Sequence, residues 1–229
     1  VYDVATFQAL GETFLRDLLA YQQACSQGAG DVLPWQTPAA NMQQAWSDWH
    51  AAASTWNDSP SLQQRFSELV QATLSRSIHL AHPRYVGHQV PPPPPATILF
   101  EALSSLLNQG MAVYEMGPWA TAIERVLVAA IYHLIRHGRF PAASEINPTA
   151  PAHGLLTHGG SIANLTALLT ARNIKLPGVW SKGMHAQTES PVLLVQQDAH
   201  YCIARAAGVL GLGTQQVWRV PLDAQRRMD

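Results

Sequence analysis

The stretch with the clearest chemical potential is Thr157-His158-Gly159-Gly160-Ser161-Ile162-Ala163-Asn164. Glycines let a backbone approach a bulky anion with no Cβ in the way. A helix opening directly after them offers unpaired amides and the positive end of its dipole. Ser161 adds a hydroxyl that can cap that helix or donate to a phosphate. The pattern fits a single phosphate group. It is neither a Walker A loop, since no Gly-Lys-Ser/Thr follows, nor a Gly-x-Gly-x-x-Gly turn. Many strand-to-helix turns use Gly and Ser for capping alone, so the stretch by itself leaves both roles open.

A second candidate is Gln197-Asp198-Ala199-His200-Tyr201, just after the apolar run Pro191 to Val195. In open α/β sheets, ligands bind beyond the carboxyl ends of strands, so both turns can face one crevice. There the His200 imidazole can stack on a flat heteroaromatic ring. A lone histidine in such a place also serves as an ordinary cap or surface residue; its pairing with the glycine turn sets it apart. His133 and His137 lie one helical turn apart, a spacing that suits two metal ligands. No Glu adjoins them, and Val126, Leu134 and Ile135 suggest a packed helix whose basic end meets the dipole. No metal site is read there, and no Gly-x-Ser-x-Gly elbow suggests a serine hydrolase.

These turns need elements to position them. Phe7, Leu10, Phe14, Leu18 and Tyr21 share one face of a helix predicted over about 6–27, ended by Gly28-Ala29-Gly30. A Trp- and Ala-rich helix is predicted over about 41–55. Ser59-Pro60 reads as an N-cap and N1 proline opening a third helix through Ser77. Then come His82-Pro83-Arg84-Tyr85-Val86-Gly87-His88 and five prolines, Pro91 to Pro95. The prolines lack amide donors and suit a stiff linker or a peptide-type ligand. Because apolar Ala96 to Leu107 follows as an expected buried helix, a stiff packed loop is preferred. A further helix spans about 120–137, stopped by Gly138. Beyond it, the order is a strand at 154–157, a helix at 162–172, a strand at 191–195, a helix at 201–210 and a strand at 217–220. That alternation signals a parallel α/β sheet.

The chain has 229 residues, 47% hydrophobic and only 13% charged, against about a quarter charged in ordinary soluble domains. The shortfall suggests surfaces covered by another subunit or by more of the same chain. A net charge of −1 gives no reason to expect nucleic acid or an anionic membrane. Cys25 and Cys202 are too few for a disulfide framework and suit a reducing, cytoplasmic setting. No apolar run approaches the roughly 18–20 residues of a membrane span, and no secretory signal opens the chain. It starts at Val1 and stops at Asp229 without a closing element, so a fragment or processed chain is expected.

Taken together, the motifs resemble the group II pyridoxal-phosphate (PLP)-dependent amino-acid decarboxylases, the aromatic-amino-acid, glutamate and diaminobutyrate decarboxylase family. His82-Pro83-Arg84-Tyr85 resembles the family's His-Pro-x-aromatic loop. Gly117-Pro118 with Thr121 and Glu124 resembles its Ser/Gly-Pro-x-x-Thr-x-x-Glu stretch. Gly154 to Arg172 resembles the phosphate turn with its helix. Asp198-Ala199-His200, followed by Ala206-Ala207-Gly208-Val209-Leu210-Gly211, resembles the Ala-His stacking segment. The likeness covers about residues 60–229 and is specific in its combination and order.

The resemblance implies a partial fold type I α/β domain over 116–229, preceded by an N-terminal helical segment and dimerisation loop over 1–115. It implies that Gly160 and Ser161 hold the PLP phosphate and that His200, the catalytic candidate, stacks on the pyridine ring. His88, Gln89 and Val90 would line the substrate side; Pro91 departs from the polar residue often found there, which leaves the substrate unassigned. Residues 108–114 would approach a neighbouring subunit's site, the partner being a second copy or a complementary C-terminal half. The implied activity is loss of CO2 from an L-amino acid to give an amine, by covalent electrophilic catalysis. The cofactor lysine and the Asp that pairs with the pyridinium nitrogen lie later in the family's sequence. Lys175 and Lys182, the only lysines here, do not follow the family's His-Lys pattern. This polypeptide alone is therefore expected to link no PLP covalently and to release no CO2. Two alternatives stand beside this reading: another fold type I enzyme such as an aminotransferase, and a non-catalytic dimerising remnant.

Overall fold

The computed structural model describes residues 3–54, 61–147, 154–187 and 191–229. The chain divides into two compact units, Val1–Leu107 and Asn108–Asp229.

The first unit is helical: α1 (Val4–Ser26), α2 (Pro38–Ser54), α3 (Leu62–Arg76) and α4 (Pro95–Leu107). Asp3 caps α1 by accepting the Ala5 and Thr6 amides, as a short carboxylate at Ncap does. The expected cap at Ser59-Pro60 lies outside the described residues; the observed cap of α3 is Ser61, whose hydroxyl accepts from the Gln64 amide at 3.2 Å.

The α1–α3 contact differs from the expected apolar stripe. Its buried centre is polar: Thr13 accepts from Gln63 Nε2 at 2.8 Å, and Ser67 donates to Asp17 at 2.6 Å. The spacing is four residues on both helices, so the two helices run parallel in register. Phe14 packs on Phe66 beside this ladder, with ring centres 6.4 Å apart. Burial makes such bonds matter, because an unpaired polar group there is costly.

Pro91 to Pro94 form no regular element and are exposed, and Pro95 opens α4, where a first-turn proline loses no helix bond. The expectation of a buried helix and a packed proline loop is corrected here. No residue of α4 is buried, and Phe100 is 63% exposed. An apolar composition shows that a helix seeks a cover, not that the cover lies within this chain.

In the second unit, α5 (Pro118–His137) begins at a proline and ends at Gly138, whose φ of +71° gives the left-handed C′ geometry glycine allows. Val128 is its one buried residue. Ile135 and Val126, read as packing positions, are exposed. Next come α6 (Gly160–Lys175), the single-turn α7 (Val179–Lys182), β1 (Leu193–Gln196), α8 (Cys202–Val209) and β2 (Val217–Val220). The strands pair in parallel, Leu193 with Val217 through Gln196 with Val220, as the alternation predicted. Ala207, Leu210 and Leu212 form the core, covered by Leu165, Leu168, Leu169, Met184, Leu193 and Val217. The strand expected at 154–157 is absent: these residues form no ladder, and the Leu156 amide is taken by the Glu124 carboxylate at 3.0 Å. A strand needs a neighbour to pair with, and a side chain supplies the bond instead. Among the described residues, no helix is long and apolar enough to cross a membrane.

Candidate functional site

The glycine turn has the form its residues require. Gly159 sits at φ +87° as the N-cap of α6, a conformation that is strained for residues with a Cβ. Its amide donates to Thr157 O at 2.9 Å, and its carbonyl accepts the first helical bond from the Ala163 amide at 3.2 Å. No side chain caps the helix, so Ser161 does not serve as the cap. The amides of Gly160, Ser161 and Ile162 belong to the first turn, where a helix leaves its donors unpaired. Nothing lies within 4 Å of where a Cβ on Gly159 or Gly160 would stand. Open space, unpaired amides and an exposed hydroxyl fit a phosphate monoester.

His200 lies between β1 and α8 and is exposed. Its Nδ1 accepts the Cys202 amide at 3.2 Å. A neutral ring therefore carries its proton on Nε2. The imidazole lies 4.1 Å from the Tyr201 ring, tilted by 37°, and the Arg205 guanidinium covers the Tyr201 ring at 4.8 Å.

Two hydrogen bonds bring the turns to one end of this unit. Asn164 Nδ2, one turn into α6, reaches Cys202 Sγ, the first residue of α8, at 3.2 Å. Near the far ends, Arg172 donates to Leu210 O at 2.9 Å. The paired positions are eight residues apart on each helix, so α6 and α8 run side by side in the same direction. The turn at 159–161 and the turn at 198–200 thus share the end beyond the carboxyl edge of β1 and β2. The sequence motifs contain Glu124 and Asn164 but suggest no role for either. For Glu124 no local signal exists, since its partner, the Leu156 amide, lies 32 residues away.

Lys175 ends α6 and Lys182 ends α7. Fifteen residues separate Lys175 from Gly160, roughly 22 Å along a helix. Lys182 belongs to the short helix that follows, and α7 also packs on α6. His88, Gln89 and Val90 belong to the first unit and are exposed. Their loop is braced by Tyr85, whose hydroxyl donates to His88 O at 3.1 Å. The α5 histidines also have local partners. His133 Nδ1 contacts Arg139 O at 3.2 Å, and its ring lies 4.3 Å from His137.

Residues 54–229 match the family described as the pyridoxal-dependent decarboxylase conserved domain. The aspartate 1-decarboxylase of Aliivibrio fischeri (strain ATCC 700601 / ES114) is 28% identical over 189 residues, covering 76% of this chain and 34% of that protein. The L-2,4-diaminobutyrate decarboxylase of Acinetobacter baumannii is 23% identical over 180 residues, covering 73% and 33%. Among solved structures, mouse CSAD superimposes over 100% of this chain and 44% of its own, with a TM-score of 0.75 at 20% identity. Oryza sativa TDC with PLP covers 99% and 46%, with a TM-score of 0.72 at 17% identity. At these identities the structures speak for the fold, which is the expected partial fold type I arrangement. The chain spans about a third of the length of these curated relatives.

Proposed function

This chain belongs to the pyridoxal-dependent decarboxylase family, and we propose on that premise that it supplies the phosphate-binding and ring-stacking part of an amino-acid decarboxylase. The observation that carries the reading is the Asn164–Cys202 bond. It supports one crevice served by both turns.

In that crevice, Gly160 and Ser161 grip the phosphate through their amides and the Ser161 hydroxyl. His200 lies against the ring. Its Nδ1 is occupied by the Cys202 amide, which restrains rotation of the imidazole and favours a flat stack. When bound, PLP supplies the electron sink that loss of CO2 from an amino acid requires. The family resemblance assigns His88, Gln89 and Val90 to the substrate side and residues 108–114 to the approach of a second subunit. Relatives named for aspartate and 2,4-diaminobutyrate support an L-amino acid as substrate, without favouring either. The distance along α6 sets Lys175 far from the phosphate turn, and neither Lys175 nor Lys182 follows a histidine as in the family's His-Lys pattern. Neither lysine is therefore assigned to the cofactor. Buried free thiols at Cys25 and Cys202 agree with a cytoplasmic setting.

The test is to load the chain with PLP, reduce it with borohydride and map the lysines. Saturable PLP binding with no adduct on Lys175 or Lys182 is expected. A stoichiometric adduct on either lysine overturns the assignment. Adding the remaining family-length polypeptide should give amine and CO2 from an amino acid; a keto acid product points instead to an aminotransferase.

A further inference from the structure

We propose that Glu124 is a positioning residue for the phosphate turn, holding the backbone just ahead of it in the shape that receives a phosphate monoester. The inference rests on the cofactor reading above and adds a residue that reading does not use.

The Glu124 carboxylate accepts the Leu156 amide at 3.0 Å across 32 residues of sequence. Leu156 directly precedes Thr157, which makes two bonds to the turn: its carbonyl takes the Gly159 amide at 2.9 Å, and its hydroxyl donates to Gly159 O at 3.3 Å. A short chain of hydrogen bonds therefore runs from α5 to the residue whose positive φ shapes the turn. Residues 154–157 have no ladder among the described residues, so this carboxylate does the fixing that a neighbouring strand would otherwise do.

The rest of the α5 face agrees. Thr121, Glu124 and Val128 follow one another at helical spacing. A Cβ on Gly154 would meet Val128 Cγ1 at 3.4 Å, so the segment lies close against this face. The Thr121 hydroxyl, one turn before Glu124, is buried without a hydrogen-bond partner, which marks that part of the face as closed to solvent. Among the described residues the carboxylate makes no ion pair. Its negative charge would repel a phosphate dianion at close range, so Glu124 serves as an acceptor for the backbone and not as a ligand. An amide oxygen can do the same work.

The experiment measures affinity for PLP and for pyridoxal, which lacks the phosphate, in the wild-type chain, Glu124→Leu and Glu124→Gln. Glu124→Leu should weaken PLP about tenfold, in line with loss of a bond to a charged acceptor, and leave pyridoxal unchanged. Glu124→Gln should stay within about threefold of wild type for both. Should Glu124→Leu fail to fold, Glu124→Asp, one methylene short of the amide, should weaken PLP alone. Unchanged PLP affinity in Glu124→Leu, or equal loss of PLP and pyridoxal, overturns the proposal. A wild-type chain that binds neither compound overturns the cofactor reading itself and this inference with it.

Discussion

His200 and Glu145 illustrate how hydrogen bonds set the state of a side chain. The Cys202 amide on Nδ1 leaves His200 with its proton on Nε2 when neutral, a consequence visible only once α8 is placed. Glu145 is held by the two terminal guanidinium nitrogens of Arg139, at 2.7 and 2.9 Å, and by the Ala142 amide at 2.7 Å. These partners, Arg139 first, lower its carboxyl to about 2. A depressed folded pKa means that this stabilisation is present above the ordinary carboxylate range and is lost as pH falls through about 2. Glu145→Gln should therefore flatten the acid limb of stability between about pH 4.5 and pH 2 while leaving affinity for PLP intact. Thermal melts of both proteins across that window check it; parallel acid limbs contradict it. At this scale the sequence was informative wherever residue type dictates geometry. Gly159 and Gly138 announced their turns because positive φ favours glycine. Glu124 did not announce its partner, because a bond across 32 residues leaves no local trace.

Elements were legible to the extent that their causes are local. The C-terminal end of α5 and β2 follow directly from capping residues and apolar runs, while α5 begins two residues earlier than predicted and α6 begins two earlier and ends three later. The polar ladder between α1 and α3 was missed, because Thr13 and Asp17 look like solvent-facing positions until Gln63 and Ser67 meet them. The Ser67 hydroxyl, foremost, and the Arg16 guanidinium hold the Asp17 carboxyl below its usual range. That contribution is present above the ordinary carboxylate range and fades as pH falls through the lowered value. Asp17→Ala should lower the melting temperature by several degrees at neutral pH, and Asp17→Asn, which keeps an acceptor for Ser67, by less. Equal loss in both variants would mean that packing, not the ladder, joins the helices. The segment at 154–157 failed for a different reason: its apolar residues suit a strand, but ladder formation depends on a neighbour that local composition cannot reveal.

For the whole molecule, low charge and open apolar faces describe the same fact twice. Phe100 on α4 and Trp119 on α5, at 72% exposure, are large apolar residues that water covers poorly. The second subunit proposed above would cover such surfaces. The account's centre lies within the second unit, in two turns serving one phosphorylated ring. Its most direct test is amide and imidazole NMR of the labelled chain, titrated first with inorganic phosphate and then with PLP. Phosphate should shift Gly160, Ser161 and Ile162 alone. PLP should shift those three amides and, with a ring-current effect, the His200 imidazole. PLP that moves one turn and leaves the other untouched would contradict it.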